Sequence, residues 1–190
     1  CAAIIRRLLD FAREKTPEKR FVDINGIIED CVQLISQPAQ LADIELDVRL
    51  GGGIPPVWVD EDLIKQVVMN MLVNAQHAIG KSGTITVGTC VRHDCPLTGV
   101  DLDPDAPMVQ VLIRDTGCGI APEHLDRIFD PFFTTKGVGK GTGLGLSVSH
   151  GTIEAHGGVI EVESELDKGT EFRICLPTGS KHGNEQVNGE

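Results

Sequence analysis

Two asparagines four residues apart, Asn70 and Asn74, lie in a stretch whose apolar residues recur at helical spacing. Leu63, Ile64, Val67, Val68, Met71, Leu72 and Ala75 share one face, and Asn70, Asn74 and His77 fall together along its border. An amide inside a helix competes for backbone hydrogen bonds, so the pair carries a cost with no packing return. Side-chain carbonyls held rigidly beside a core suit a hard cation, and Mg²⁺ takes one or two protein oxygens alongside phosphates and waters. Taken alone, the pair serves equally well as a polar edge bonded to a neighbouring loop.

A second group follows an apolar strand, Val109 to Arg114: Asp115-Thr116-Gly117-Cys118-Gly119-Ile120. A carboxylate can accept a hydrogen bond from an exocyclic amine such as adenine's, and two spaced glycines let a flat ring approach the backbone edge-on. A plain turn fits that short pattern too. The third group is more specific. Gly139-Lys140-Gly141-Thr142-Gly143-Leu144-Gly145-Leu146 runs directly into a helix, and free backbone N–H groups at a helix start make an anion site through orphan donors and dipole together. A triphosphate suits it. The segment from about residue 133 to 143 is expected to act as a lid ordered by ligand.

Those residues need a scaffold, and the chain supplies one. Ala2 to Lys15 reads as the end of a helix stopped by Pro17, followed by a short strand Arg20 to Val22. Asp23 is a plausible N-cap for a helix carrying Ile27, Ile28, Cys31, Val32, Leu34 and Ile35, expected to end at Pro38. Ile44, Leu46, Val48 and Leu50 alternate with charged residues as a half-buried strand, and Val57 to Val59 is a further short strand. The helix with the asparagines runs from Asp60 to about Ile79. Strands Thr84 to Val91 and Val109 to Arg114 flank a Pro- and Asp-rich loop, and a helical turn is expected around Leu125 to Phe129. A helix from about Leu146 to His156, stopped by Gly157-Gly158, and strands Val159 to Glu163 and Thr170 to Leu176 close the fold. The tail beyond Pro177 is polar and expected to fray.

Composition sets the outer bounds. The 190 residues fit one domain plus an appendage. With 17 basic and 28 acidic residues the net charge is −11, which argues against nucleic acid as a partner. Aromatics are 4% with no Tyr, too few for a base-stacking platform. No apolar run approaches the ~18 residues needed to span a bilayer. Because the sequence opens on Cys1 rather than Met, it is expected to be an excerpt, cytoplasmic itself, from a parent that could be membrane-anchored. The six dispersed cysteines are expected to be reduced thiols, without disulfides.

Taken in order, Asn70-x-x-x-Asn74-Ala75, Asp115-x-Gly117-x-Gly119, Phe129-Asp130-Pro131-Phe132-Phe133-Thr134-Thr135-Lys136, Gly141-Thr142-Gly143-Leu144-Gly145-Leu146 and Gly169-Thr170-x-Phe172 resemble the N, G1, F, G2 and G3 boxes of sensor histidine kinases, with a weaker leaning to those of hybrid or nitrogen-regulation type. The resemblance covers roughly residues 21 to 177, and Leu8 to Arg13 is similar to the tail of the dimerisation helix that precedes such a domain. It implies the Bergerat fold of the GHKL superfamily: a two-layer α/β (α+β) sandwich, its mixed sheet covered on one face by helices. The implied division is 1–19 as helix end and linker, 20–178 as ATP-binding catalytic domain, and 179–190 as tail.

By the same resemblance, Asn74 is the Mg²⁺ ligand and Asn70 stands beside the phosphates, sharing the ion or not. Asp115 binds the adenine amine, Gly117, Gly119 and Ile120 shape that wall, and Thr170 supports it through water. Phe132 and Phe133 anchor the lid; Lys136, Thr142 and His77 approach the phosphates. Gly141, Gly143, Leu144, Gly145 and Leu146 form the phosphate loop and helix start. The implied cofactors are ATP and Mg²⁺. The implied partners are the parent's dimerisation helices, which make the parent a homodimer and leave this piece a monomer, and a response regulator's receiver domain.

One departure limits the reading. The phosphoacceptor of such kinases is a histidine followed by an acid on a helix; of the histidines at 77, 93, 124, 150, 156 and 182 only His93 precedes an acid, in a loop setting. The chain is expected to bind ATP without phosphorylating itself efficiently. An ATPase clamp of the same superfamily is the first alternative, weakened because Asn70 occupies the place of a water-activating Glu and an amide is no general base. A nucleotide-free scaffold for a kinase or response regulator is the second. A relaxed Walker A match at Ala75 to Ser82, an acidic Asp101-x-Asp103-x-Asp105 run and a zinc site at Cys90, His93 and Cys95 are set aside on context. A redox role for Cys118 is open.

Overall fold

A five-stranded mixed sheet carries three helices on one face. In this computed structural model the described residues are 17–93, 107–135 and 141–178. The expected helix at 2–15, the acidic run at 101–105, Cys95, Lys136, Gly139, Lys140 and the tail from 179 lie outside them. The strands are β1 (Arg20–Val22), β2 (Ile44–Arg49), β3 (Val57–Val59), β4 (Gly83–Arg92), β5 (Met108–Asp115), β6 (Val159–Glu165) and β7 (Gly169–Pro177). The helices are α1 (Ile24–Leu41), α2 (Glu61–Ile79), α3 (Pro122–Leu125) and α4 (Gly145–Ala155). Sheet order is β2-β4-β5-β7-β6, with β2 parallel to β4 and every other pair antiparallel; β1 and β3 form a separate ribbon.

Asp23 starts α1 by accepting the Asn25 N–H at 2.9 Å, and the helix buries Ile24, Ile27, Ile28, Cys31, Ile35 and Ala39. Contrary to expectation α1 does not stop at Pro38 but continues to Leu41 with the proline inside it. The hydrogen bond a proline forfeits is the one to the carbonyl four residues back, here that of Leu34, a residue on the exposed side of the helix. The Pro38 carbonyl still accepts from Ala42 at 3.2 Å. The helical turn expected around Leu125 to Phe129 begins earlier, because Pro122 supplies a ready-made first helical position.

The core joins α1, α2 and α4 to the covered face of the sheet through Ile64, Val68, Leu72, Ile85, Val111, Ile113, Ile153 and Ile174, among others. β5 runs through the middle of this sheet, which delivers Asp115 at its end into buried surroundings. The thiol expectation is corrected at one position. Cys31, Cys90 and Cys118 are free, but Cys175 on β7 is disulfide-bonded. Chain length and spacing, on which the expectation rested, carry no information about which cysteines folding brings together. Among the described residues no helix is long and apolar enough to cross a membrane.

Candidate nucleotide site

α2 forms one wall. Asp60 caps it, its Oδ1 accepting the Leu63 N–H at 3.2 Å. Burial of Ile64, Val67, Val68, Met71, Leu72 and Ala75 fixes its rotation, leaving Asn70 and Asn74 half-buried at the margin and His77 exposed beyond them. Asn70 Nδ2 donates to Ser149 Oγ on α4 at 3.0 Å.

α4 meets that wall with its N-terminus. Its first turn has no acidic residue and Leu144, the cap, makes no side-chain capping bond. A helix start leaves N–H donors orphaned, and the side chain of the cap residue, Leu144, takes up none of them. A Cβ on Gly145 would lie 2.5 Å from Asn70 Oδ1, so only glycine lets the amide reach the α4 backbone this closely. Leu144 itself is buried, while Gly141, Thr142, Gly143 and Leu146 are half-buried around the mouth, with Thr142 Oγ1 accepting the Leu144 N–H at 3.4 Å.

The opposite end of the cleft is built on β5. Asp115 is 4% exposed and accepts the Gly117 N–H at 2.8 Å. Burial pushes its carboxyl above the ordinary carboxylate value, opposed by the backbone N–H groups of Gly117 and Thr170. Gly119 sits at φ 69°, with the Glu165 carbonyl only 2.1 Å from where a Cβ would stand. Cys118 N–H donates to the Ala78 carbonyl at 3.1 Å and Ile120 N–H to Ser164 Oγ at 2.8 Å. Ser164 Oγ in turn lies 2.9 Å from both Thr170 Oγ1 and the Gly169 carbonyl. The Asp115–Ile120 loop is thus held between the end of α2 and the β6–β7 turn, and Thr170 belongs to the same network.

Phe132 and Phe133, expected to anchor a lid together, are placed differently. Phe133 is half-buried, with the Arg127 guanidinium 4.9 Å over its ring and His124 edge-on at 5.4 Å. Phe132 instead points outward, 63% exposed at φ 68°, its N–H on the Gly143 carbonyl at 2.9 Å. Two surface depressions of about 470 and about 350 Å³ lie elsewhere, by β2 and by β1. No trio of His, Cys, Asp or Glu among the described residues could hold a metal.

Sequence reasoning missed Ser149, Ser164 and Ala78. Ser164 left a readable trace: on β6 it continues the row Ile160 and Val162, and a hydroxyl in an otherwise apolar row is asking for a partner. Ser149 and the Ala78 carbonyl left none, since their use depends on which element folds against them.

Residues 59–180 match the family described as histidine kinase-, DNA gyrase B-, and HSP90-like ATPase. The chain belongs to that family. Sensor kinase CckA of Brucella abortus is 41% identical over 93% of this chain, which spans 19% of CckA. The structure of full-length ShkA in complex with AMPPNP aligns at a TM-score of 0.76 and 26% identity, over 94% of this chain and 36% of that one. The catalytic domain of histidine kinase ThkA aligns at 0.70 and 30% identity, over 85% of this chain and 96% of that domain. ThkA in complex with the response regulator TrrA aligns at 0.72 and 25% identity, over 94% of this chain and 47% of that one. The sheet and helices described above are therefore those of histidine kinase catalytic domains.

Proposed function

We propose that this chain is the ATP-binding kinase domain of a sensor histidine kinase. It binds Mg-ATP, and the whole protein transfers the γ-phosphate to a histidine on its dimerisation helices for delivery to a response regulator. The observation that carries this is the contact of Asn70 with Gly145: an amide oxygen of α2 rests on the uncapped N-terminus of α4, so a metal ligand and an anion site are adjacent. Asn74, one turn further on, and Asn70 hold Mg²⁺, which neutralises phosphate charge when bound. Asp115 accepts from the adenine amine, with Gly117, Gly119, Ile120 and Thr170 shaping that end. Gly141 to Leu146 receive the phosphates under a lid anchored by Phe133, and Thr142, His77 and Lys136 add polar contacts. Relatives' names and the AMPPNP and TrrA complexes support the reading.

Phosphoryl transfer asks mostly for positioning and charge neutralisation, both of which this cleft offers. Hydrolysis asks for a base beside the phosphates, and the amide of Asn70 bonded to Ser149 is not one. The test is a titration with Mg-AMPPNP, with and without Mg²⁺, joined to incubation with γ-labelled ATP. Binding that weakens without the metal, with neither label retained nor rapid turnover, supports the proposal. No binding refutes it, and fast steady-state hydrolysis moves the chain to the clamp ATPases of its superfamily.

A further inference from the structure

His156 stands at the far end of α4 from the nucleotide cleft, only 3% exposed, with both ring nitrogens engaged. Nδ1 lies 2.7 Å from the Thr152 carbonyl, so Nδ1 carries the proton. Nε2 is then the acceptor, and it takes the Asp60 N–H at 3.1 Å. That N–H belongs to the residue that caps α2. α2 and α4 run antiparallel, and two hydrogen bonds tie them: Asp60 to His156 at one end, Asn70 to Ser149 towards the other. The linker enters the same junction, Glu18 N–H donating to Asp60 Oδ2 at 2.9 Å and Lys19 Nζ to the Ala155 carbonyl at 2.7 Å.

We propose that His156 is a positioning residue for the nucleotide site: by bonding the C-terminus of α4 to the N-terminus of α2 it fixes the angle between them, and so the seat of Asn70 against Gly145. The assignment rests on the nucleotide reading of the cleft. α4 has 11 residues and is ~16 Å long, so a small pivot at the His156 end displaces the Gly145 end measurably. The seat has no slack, since a Cβ would already stand 2.5 Å from Asn70 Oδ1. Protonation breaks the tie between His156 and Asp60, because an Nε2–H would confront the Asp60 N–H donor to donor. Lys19 from the linker and Asp60 from α2 are the charged groups facing the ring. Burial, with Lys19 acting in the same direction, outweighs the Thr152 carbonyl and Asp60 and holds His156 below the ordinary histidine value, in the form that can accept.

The test uses the full chain with His156→Gln, whose side-chain oxygen can still accept, and His156→Leu, which fills the space but cannot. Mg-AMPPNP affinity should fall about tenfold in His156→Leu and stay within about twofold in His156→Gln. The ratio of wild-type to His156→Gln affinity, in which the nucleotide's own titration cancels, should drop as pH is lowered from about 7.5 to about 5.5. Equal weakening in both variants overturns the proposal, as does a pH-independent ratio, which remains readable should His156→Leu fail to fold. Amide exchange without nucleotide separates this failure from that of the functional reading: His156→Leu should speed exchange at Leu63, Ile64 and Val148 even if no nucleotide binds. Unchanged exchange there also overturns the clamp.

Discussion

The two ends of α4 are treated in opposite ways. At the C-terminal end every carbonyl of the last turn has a donor: Thr152 from the His156 ring, Ile153 from the His156 and Gly158 N–H groups, Glu154 from Gly157 and Ala155 from Lys19. At the N-terminal end the cap residue, Leu144, makes no side-chain capping bond and the first turn holds no acidic residue. Helix ends are satisfied wherever nothing else is meant to sit there. The open end lies against the Asn70 amide, an arrangement that suits the anion site proposed above.

The strongest way to break that contrast is to fill the open end. In Gly145→Ala the new methyl would meet Asn70 Oδ1 at 2.5 Å and Cγ and Nδ2 at 3.0 Å. Asn70 must swing and its bond to Ser149 lengthen. Mg-AMPPNP affinity should drop about a hundredfold by titration calorimetry, equivalent to ~2.7 kcal/mol. Alanine recovers ~1 kcal/mol of helix propensity, so the melting temperature should move by less than about 4 °C. A binding loss matched by collapse of the fold would make Gly145 a packing residue only.

Asp115 sharpens the comparison from the adenine side. Its carboxyl is held above the ordinary value by burial, so between about 3.8 and that raised value the folded state binds more protons than the unfolded one. Its contribution to stability is therefore lost as pH rises through the folded value, and at neutral pH the buried charge is a cost. Asp115→Asn should weaken nucleotide binding about tenfold to a hundredfold, because it replaces one of the two acceptor oxygens by a donor while Oδ1 is already engaged by the Gly117 N–H. The nucleotide-free domain should melt no lower than wild type. A lower melting temperature at pH 7 would mean that the carboxylate serves the fold through Gly117 and Thr170 rather than the ligand.

Much of this was legible beforehand, for reasons that differ by residue. The apolar face of α2 fixed where Asn70 and Asn74 must lie, because a 3.6-residue period allows one burial solution. The glycines at 117, 119, 143 and 145 were readable as backbone close to something, though not as close to Ala78, Glu165, Phe132 and Asn70 in particular. Pro38 was misread because a proline's penalty in the last turn of a helix is a single carbonyl, which water can satisfy. The disulfide at Cys175 was not legible because spacing does not report which cysteines folding brings together. His156 was read only as the end of a helix. Its role depends on Asp60, 96 positions away, and no local pattern reports that.

The closed end can be tested through its pH dependence. Folded His156 is held below 6.5, so as pH falls below about 6.5 the unfolded chain takes up a proton that the buried ring refuses, and stability falls until the lower folded value is passed. Wild type should lose a few degrees of melting temperature between about pH 7 and pH 5.5 beyond any loss in His156→Gln. Parallel curves would remove His156 from the account of acid sensitivity.

The smallest effect belongs to Lys19. Its ammonium reaches the Ala155 carbonyl from the exposed linker, where salt screens the charge and a long side chain is ordered for one bond. Lys19→Ala should cost ~0.5 kcal/mol or less, about 1–2 °C in melting temperature, and leave nucleotide affinity unchanged within error. This small number divides two versions of the closed end. If the linker merely rests on the junction, the effect stays at that size and vanishes in high salt. A several-fold change in Mg-AMPPNP affinity from Lys19→Ala would instead mean that the linker helps set the angle between α2 and α4, so that movement of whatever precedes Pro17 would reach Asn70 through Ala155, His156 and Asp60.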